Sequence, residues 1–238
     1  MRALIPLLRL DLVLQARSFL YPATAVSTLM ICVFIMLLPE RPASPEFVAF
    51  LVFMDPATIG LSFVGAMVLV EKSQGTLFAL GLTPARPAAY VSAKAISLTL
   101  LTFVSSLVVV LVATAGAFDL ARQLVALTLC SVVAVLMGLV CVTRARGMNQ
   151  LVVTLLGVTT LLYVPLLAHF GVLGGAPGVA VALIPSYAML TALQASVDPG
   201  TVSPVGQGGA VAYLVVWAAA LWRGTMREFE RSIVTEGR

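Results

Sequence analysis

Charged side chains are scarce in this chain, and their scarcity excludes a water-soluble protein. Only 10% of the 238 residues are charged and 61% are hydrophobic, whereas a soluble domain averages about 25% charged and about 45–50% apolar residues. The mean hydropathy of +1.08 is equally far from soluble behaviour. No stretch of ordinary charge density is long enough to fold as a soluble domain, so residues 1–238 are predicted to form one membrane domain.

Cysteine and histidine are too few and too scattered for a disulfide framework or a metal site. Cys32, Cys130 and Cys141 all lie inside apolar runs, where cysteine usually acts as a small buried hydrophobic residue. His169 is the only histidine, and no acidic cluster accompanies it. We therefore expect no metal centre, and we expect His169 to be a hydrogen-bonded or interfacial side chain.

A nucleotide-binding loop is also missing. The chain has no Gly-x-x-x-x-Gly-Lys-Ser/Thr motif, and its glycine-rich run 171–178 contains no lysine. The net charge of +4 does not indicate nucleic acid, because the charged residues stand at the ends of apolar runs, where they report membrane orientation. No cofactor is expected in this chain.

Six apolar runs are candidates for membrane-spanning helices, each of which needs about 20 residues. The sequence therefore predicts an all-α membrane protein with six transmembrane helices, and Asp119 is a good N-cap for the fourth. The expected spans cover residues 23–39, 46–71, 87–116, 119–144, 149–169 and 208–222, of which the first and last are short.

The flanks of these spans are strongly asymmetric in charge. Twelve lysine and arginine residues flank one side, and two flank the other. Because cytoplasmic loops are enriched in lysine and arginine, the side with twelve is predicted to be the cytoplasm. Both termini then lie in the cytoplasm, and the reverse topology would invert the asymmetry.

The first 20 residues are too polar to span comfortably, but they have the pattern of a helix lying in the membrane interface. Asp11, Gln15 and Ser18 fall at i, i+4 and i+7 and form one narrow polar stripe on an otherwise apolar surface. Arg9 and Arg17 can extend to lipid phosphates. Segment 1–20 is therefore predicted to be an interfacial helix in contact with membrane lipid.

Residues 170–207, before the last span, are mostly apolar but rich in glycine and proline. Pro185 and Ser186 indicate the start of a short helix there. Irregular backbone at membrane depth is tolerated only against protein or a wet cavity. The segment is therefore predicted to form a re-entrant or outer-surface helix that does not cross the membrane.

The loop that joins the second and third spans, 71–85, carries the most informative pattern. Its informative residues are Glu71, Lys72, Gly75, Thr76, Leu77, Leu80, Thr83 and Pro84. A turn is expected at Gly75, and Thr83-Pro84 is a typical helix start. The leucines between them predict a short amphipathic helix that offers a docking surface. The alternative is a loop helix that packs on its own subunit.

This loop also carries a family resemblance. The pattern Glu-x-x-x-Gly-Thr-Leu-x-x-Leu-x-x-Thr-Pro, placed directly after the second span and followed by Lys94, resembles the permease subunits of ABC type 2 exporters, and among them the short permeases of the fluoroquinolone-export type. The family plan covers the whole chain: an interfacial N-terminal helix, six spans, a coupling helix in the first cytoplasmic loop and a broken outer segment before the last span.

The resemblance implies a half-transporter in the bacterial cytoplasmic membrane that moves a hydrophobic or amphipathic, drug-like or lipid-like substrate outward. Two permeases, identical or paralogous, would pair, and each would dock on a separate ATP-binding subunit that holds the ATP and magnesium. Residues 71–84 would form the coupling segment, with Gly75, Thr76, Leu77 and Leu80 nearest that subunit. The interfacial helix around residues 9–17 would lie beside it.

Asp55 lies within the second apolar run and is followed by Pro56. An ionisable residue at membrane depth is costly and marks a functional site by default, here on a path for substrate or protons. Asp-Pro is also a common helix start, so Asp55 could instead cap a helix that breaks at Pro56. The two interpretations are compatible if the break lines a cavity.

Three other functions stay open at this point. A permease of the same fold could export haem or lipid. An intramembrane enzyme is a different class, but Ser62 lies in a predicted helix, His169 stands alone, and Asp55 has no neighbouring aspartates. A structural membrane subunit would need no coupling helix. ATP-dependent transport by the reconstituted complex would separate these classes.

Overall fold

The computed structural model describes residues 4–38, 44–75, 87–145, 147–173 and 175–236. Over these ranges the regular secondary structure is entirely helical. The helices are α1 (Leu4–Arg17), α2 (Leu20–Leu37), α3 (Pro45–Asp55), a π-helical segment (Pro56–Phe63), α4 (Val64–Ser73), α5 (Pro87–Thr114), α6 (Leu120–Arg144), α7 (Met148–His169), α8 (Gly175–Ala182), α9 (Pro185–Val197) and α10 (Pro204–Glu236).

Six helical runs in the described ranges are long and apolar enough to cross a membrane, which confirms the predicted fold class. They are α2, the continuous run from α3 through the π-helical segment into α4, α5, α6, α7 and the first 26 residues of α10. Asp119 caps the fourth span as predicted, since its side chain accepts a hydrogen bond from the Arg122 N–H at 3.1 Å.

The last span differs most from its predicted bounds of 208–222. The Ser203 hydroxyl accepts a hydrogen bond from the Gly206 N–H at 3.1 Å, and Pro204 stands in the first turn. The helix α10 therefore begins at Pro204, before the predicted start at residue 208. It also continues beyond Trp222, because the arginine and glutamate residues that follow leave the membrane without interrupting a helix.

The fourth span, α6, lies at the centre of the bundle. It packs against the π-helical segment, α5, α9 and α10. The most apolar stretches of the second and fourth spans are each 67% buried, whereas that of α10 is 11% buried. The first, fifth and sixth spans therefore form the outer wall and leave apolar faces for lipid or for a second subunit.

Gly138 lets α6 approach the second span closely. A Cβ at Gly138 would lie 2.3 Å from Val64 Cγ1 and 2.5 Å from the Leu61 carbonyl oxygen. At the same crossing, a Cβ at Gly60 would lie 2.9 Å from the Ala134 Cβ. Small residues let membrane helices bring their backbones together, so this crossing fixes the central span against the π-helical segment.

Gly138→Ala is expected to lower the free energy of unfolding by about 1–3 kcal/mol, because the added methyl group would meet backbone atoms that cannot turn aside. Gly157→Ala is the matched control, since Gly157 is also helical and has open space where the methyl group would go. That control should be neutral or stabilising by up to about 1 kcal/mol. Unfolding of the purified variants in one detergent measures both, and equal stabilities would contradict the account of this crossing.

The segment before the last span folds into α8 and α9, and neither is among the six candidate spans. α9 packs against α3, α6 and α10. Gln194 Nε2 donates a hydrogen bond to Glu46 Oε1 at 2.8 Å, and Ser196 Oγ donates to Gln123 Oε1. These bonds tie α9 to the start of the second and fourth spans, so this segment is part of the folded core. Its depth in the membrane stays a prediction.

Candidate coupling site

The polar stripe of α1 points into the protein. Asp11 is 4% exposed and Gln15 is fully buried, whereas Ile5, Leu10 and Val13 on other faces of α1 are exposed. The helix packs against α5 and α2. Its apolar surface is therefore turned outward, and its polar residues are available for contacts inside the bundle.

The other residues predicted for the interfacial helix lie away from the buried polar face of α1. Arg9, Arg17 and Ser18 are exposed. A corner at Phe19, whose φ of 58° lies in the left-handed region, separates α1 from α2. The two arginines are thus free of the buried contact, and their binding to lipid phosphates stays a prediction.

The cytoplasmic end of α5, as predicted from charge, presents a matching polar face. Tyr90, Lys94 and Ser97 fall at i, i+4 and i+7, so they lie on one side of the helix. All three are buried, and Lys94 is only 1% exposed. A buried lysine requires anionic partners, because a charge without one would be strongly destabilising in this environment.

Lys94 has two such partners, which come from two other helices. Its Nζ donates to Glu71 Oε1 at 2.6 Å and also to Asp11 Oδ1. The Tyr90 hydroxyl donates to Glu71 Oε2 at 2.5 Å. α1, α4 and α5 therefore meet at one ammonium group.

Neutral side chains complete the arrangement around Asp11. Gln15 Nε2 donates to Asp11 Oδ2 and to Ser97 Oγ, both at 2.8 Å, and the Ser97 hydroxyl donates to Asp11 Oδ2. We call the following six residues the polar cluster: Asp11, Gln15, Glu71, Tyr90, Lys94 and Ser97.

The polar cluster is closed off by apolar packing. The Tyr90 ring lies 5.6 Å from the Phe229 ring of α10, centroid to centroid, and Phe229 is 2% exposed. In such a dry site the ion pairs are not screened by water, and removing one charge leaves the others uncompensated. The cluster is therefore a joint between the N-terminal helix and the second and third spans, and the sixth span packs against it.

Glu71 also begins the predicted coupling segment 71–85. α4 ends at Ser73, and the chain turns at Gly75, whose φ of 72° favours glycine, so the predicted turn is confirmed. The side chain of Lys72 lies outside the described part of the structure. So do the other predicted coupling residues, which are Thr76, Leu77, Leu80, Thr83 and Pro84. The polar cluster thus holds the first residue of the segment, and the coupling helix itself stays a prediction.

Asp55 does not act as a helix cap. It is the last residue of α3 and makes no capping hydrogen bond, so the capping interpretation is wrong. Its Oδ2 instead accepts a hydrogen bond from the Ser106 hydroxyl of α5 at 3.2 Å. The predicted break takes the form of the π-helical segment that starts at Pro56, a residue that cannot donate to the helical hydrogen-bond ladder.

Sequence reasoning missed most of the α5 side of the polar cluster. Lys94 was noted only as a marker after the motif, and Tyr90 and Ser97 were not recognised as part of a site. The signal was present in their spacing. A polar stripe on α1 and a polar stripe at the start of α5 cannot both face lipid, so they are best satisfied by facing each other.

Comparisons with known proteins agree with this architecture. Residues 2–237 match the sequence model of the Fluoroquinolones export permease protein family. Two proteins from Mycobacterium tuberculosis, strains CDC 1551 / Oshkosh and H37Rv, are each named fluoroquinolones export permease protein. Each is 30% identical to this chain over 239 residues, covering 98% of both sequences. No solved structure matches.

The match extends over nearly the full length of the chain, and the six apolar helices are those of a multi-pass membrane protein. The chain is a transport subunit rather than an enzyme, and it belongs to the fluoroquinolones export permease family.

Proposed function

We propose that this chain is the membrane subunit of an ATP-binding-cassette exporter. Two permeases pair in the bacterial cytoplasmic membrane, with their termini in the cytoplasm, and each docks a separate ATP-binding subunit on residues 71–85. That subunit supplies the ATP and magnesium chemistry. The family description and the apolar outer faces of the first, fifth and sixth spans support this arrangement.

The polar cluster is the observation that carries the proposal. Glu71 is the first residue of the docking segment and is bonded to Lys94 on the third span, which is bonded to Asp11 on α1. If the docking segment moves while the bonds of Lys94 to Glu71 and Asp11 stay intact, α1 and the third span must move with it. Closure of the ATP-binding subunits would be transmitted to the membrane helices through this joint.

The cargo is drug-like or lipid-like. The mycobacterial relatives are named for fluoroquinolone export, and this name favours a drug-like molecule for the present chain as well. A permease of the same fold for haem or lipid is the second candidate. Export assays with a fluoroquinolone and with a labelled lipid, run side by side on the same complex, distinguish the two.

The double variant Leu77→Asp with Leu80→Asp tests the docking. We expect it to reduce co-purification of the ATP-binding subunit by about tenfold or more, since charges placed in an apolar interface core remove its main attraction. Val234→Asp is the control, because it adds a charge near the C-terminus on the same predicted side of the membrane. If the double variant retains both the complex and transport, the docking assignment fails.

A further inference from the structure

A cavity of about 450 Å³ lies between α2 and the second span, near the point where α3 gives way to the π-helical segment. Several of its lining residues are exposed on the outer surface of the bundle, among them Val26, Met30 and Thr58. The cavity is therefore reached from the side of the helix bundle, where a molecule dissolved in the membrane would enter. Its volume falls within the range of about 300–1,000 Å³ typical of small-molecule sites.

Among the described residues that line this cavity, Asp55 is the one ionisable residue. In the described part of the chain no cationic side chain forms an ion pair with it, and the Ser106 hydroxyl that donates a hydrogen bond to it is neutral. The carboxylates of the polar cluster differ, because both are bonded to Lys94. Asp55 is 5% exposed, so it resides in a setting where a carboxylate is costly without a cation.

We propose that this cavity binds the transported molecule and that it selects organic cations with an apolar body. The inference rests on the proposed function and narrows its substrate class. The apolar walls accommodate the body of the molecule, and the Asp55 carboxylate pairs with its positive charge. Asp55 at the end of α3 and Thr58 in the π-helical segment both lie on the cavity wall, and π-helical interruptions are frequent at functional sites.

A second cavity gives the internal comparison. It has a volume of about 460 Å³ and lies between α2 and α5 on the other side of α2, and none of the described residues that line it is charged. Leu29 lines this neutral cavity, and its neighbour Met30 lines the cavity beside Asp55. Both side chains are exposed, at 63% and 68%, so a large residue at either position leaves the packed core untouched.

The test uses two probes of similar shape and opposite charge, tetraphenylphosphonium and tetraphenylborate. Binding to the full-length chain is measured by equilibrium dialysis in nanodiscs of zwitterionic lipid, with empty nanodiscs subtracted. Asp55→Asn is expected to weaken tetraphenylphosphonium binding by about tenfold or more, because it removes the charge and keeps the shape. It should not weaken tetraphenylborate binding. Asp198→Asn, at an exposed carboxylate outside the cavity, should change neither.

The tryptophan variants keep the test decisive even if Asp55→Asn folds poorly. Met30→Trp fills the cavity and leaves Asp55 in place, so it should abolish tetraphenylphosphonium binding, whereas Leu29→Trp should leave it within twofold. Equal effects of Met30→Trp and Leu29→Trp, or unchanged binding in folded Asp55→Asn, would overturn the site.

Failure of this inference and failure of the proposed function give different results. If the complex exports tetraphenylphosphonium in an ATP-dependent manner and the Asp55→Asn complex exports it at the same rate, the cation site is wrong and the exporter assignment stands. If tetraphenylphosphonium binds in an Asp55-dependent manner but no ATP-binding subunit associates with the chain, the site stands and the exporter assignment is wrong.

Discussion

Replacing Lys94 with methionine is expected to destabilise the folded chain by about 3–5 kcal/mol, the range seen when one partner of a buried ion pair is removed. Methionine keeps much of the length of the lysine side chain but cannot neutralise Asp11 and Glu71. Both carboxylates would then remain buried, at 4% and 6% exposure, without the ammonium group that joins them. The loss should also separate α1 from the start of the docking segment.

Unfolding of the purified variant in detergent measures this effect. Arg122→Met is the matched control, because Arg122 also pairs with a carboxylate, Asp119, at 3.2 Å, but in a solvent-accessible position. An exposed pair is worth about 0–1 kcal/mol, so the control should stay close to the wild type. If Lys94→Met and Arg122→Met are equally stable, the polar cluster is not a buried electrostatic joint.

A fully neutral cluster separates the lost charge from lost packing. The triple variant Asp11→Asn, Glu71→Gln and Lys94→Met carries no charge at the joint. Replacing a whole buried ionic group by neutral residues is often tolerated, so the triple variant should recover most of the stability that Lys94→Met loses. If it is less stable than Lys94→Met, the destabilisation comes from packing at position 94.

Glu71→Gln alone is expected to uncouple ATP hydrolysis from transport. Glutamine keeps the shape of glutamate and an oxygen that can accept a hydrogen bond from Lys94, so the protein should fold and dock its ATP-binding subunit. The bond that joins the docking segment to α5 loses the carboxylate charge and keeps only that of the Lys94 ammonium group, so it changes from an ion pair to a weaker hydrogen bond. Export per ATP hydrolysed should therefore fall by about tenfold or more, since coupling free energies of about 1–3 kcal/mol correspond to factors of about 5–150.

The ratio of exported substrate to hydrolysed ATP, measured in proteoliposomes, checks this prediction. Glu228→Gln is the control, since Glu228 also forms an ion pair, with Arg144 at 3.2 Å, but the two side chains are 26% and 68% exposed. It should leave the ratio unchanged. If Glu71→Gln lowers hydrolysis and export in proportion, Glu71 affects docking or folding and does not transmit movement.

The spans were predictable because their signal is local. A run of about 20 apolar residues needs no knowledge of the rest of the chain, and the Asp119 cap and the turn at Gly75 are decided by neighbouring residues. The last span was misjudged where local signals conflict. Its first turns are glycine-rich, yet the preceding Ser203 and Pro204 start the helix.

The site was only half predictable because its contacts join distant parts of the chain. Asp11 and Glu71 were both singled out from the sequence, but nothing local indicates that both contact Lys94, which is 83 residues from Asp11. Asp55 shows the same limit. Asp-Pro suggests a cap when only the neighbouring residues are considered, and the bond to Ser106 on another helix decides otherwise.

The most direct test of the exporter assignment is ATP-driven accumulation in proteoliposomes that contain the purified chain and its ATP-binding subunit. The vesicles are supplied with ATP outside and with a radiolabelled fluoroquinolone or tetraphenylphosphonium. We predict that at least one of the two accumulates when ATP is added, and that accumulation stops when a non-hydrolysable analogue replaces ATP or when the ATP-binding subunit is omitted. ATP hydrolysis without accumulation of either probe, or accumulation that needs neither ATP nor the second subunit, would contradict it.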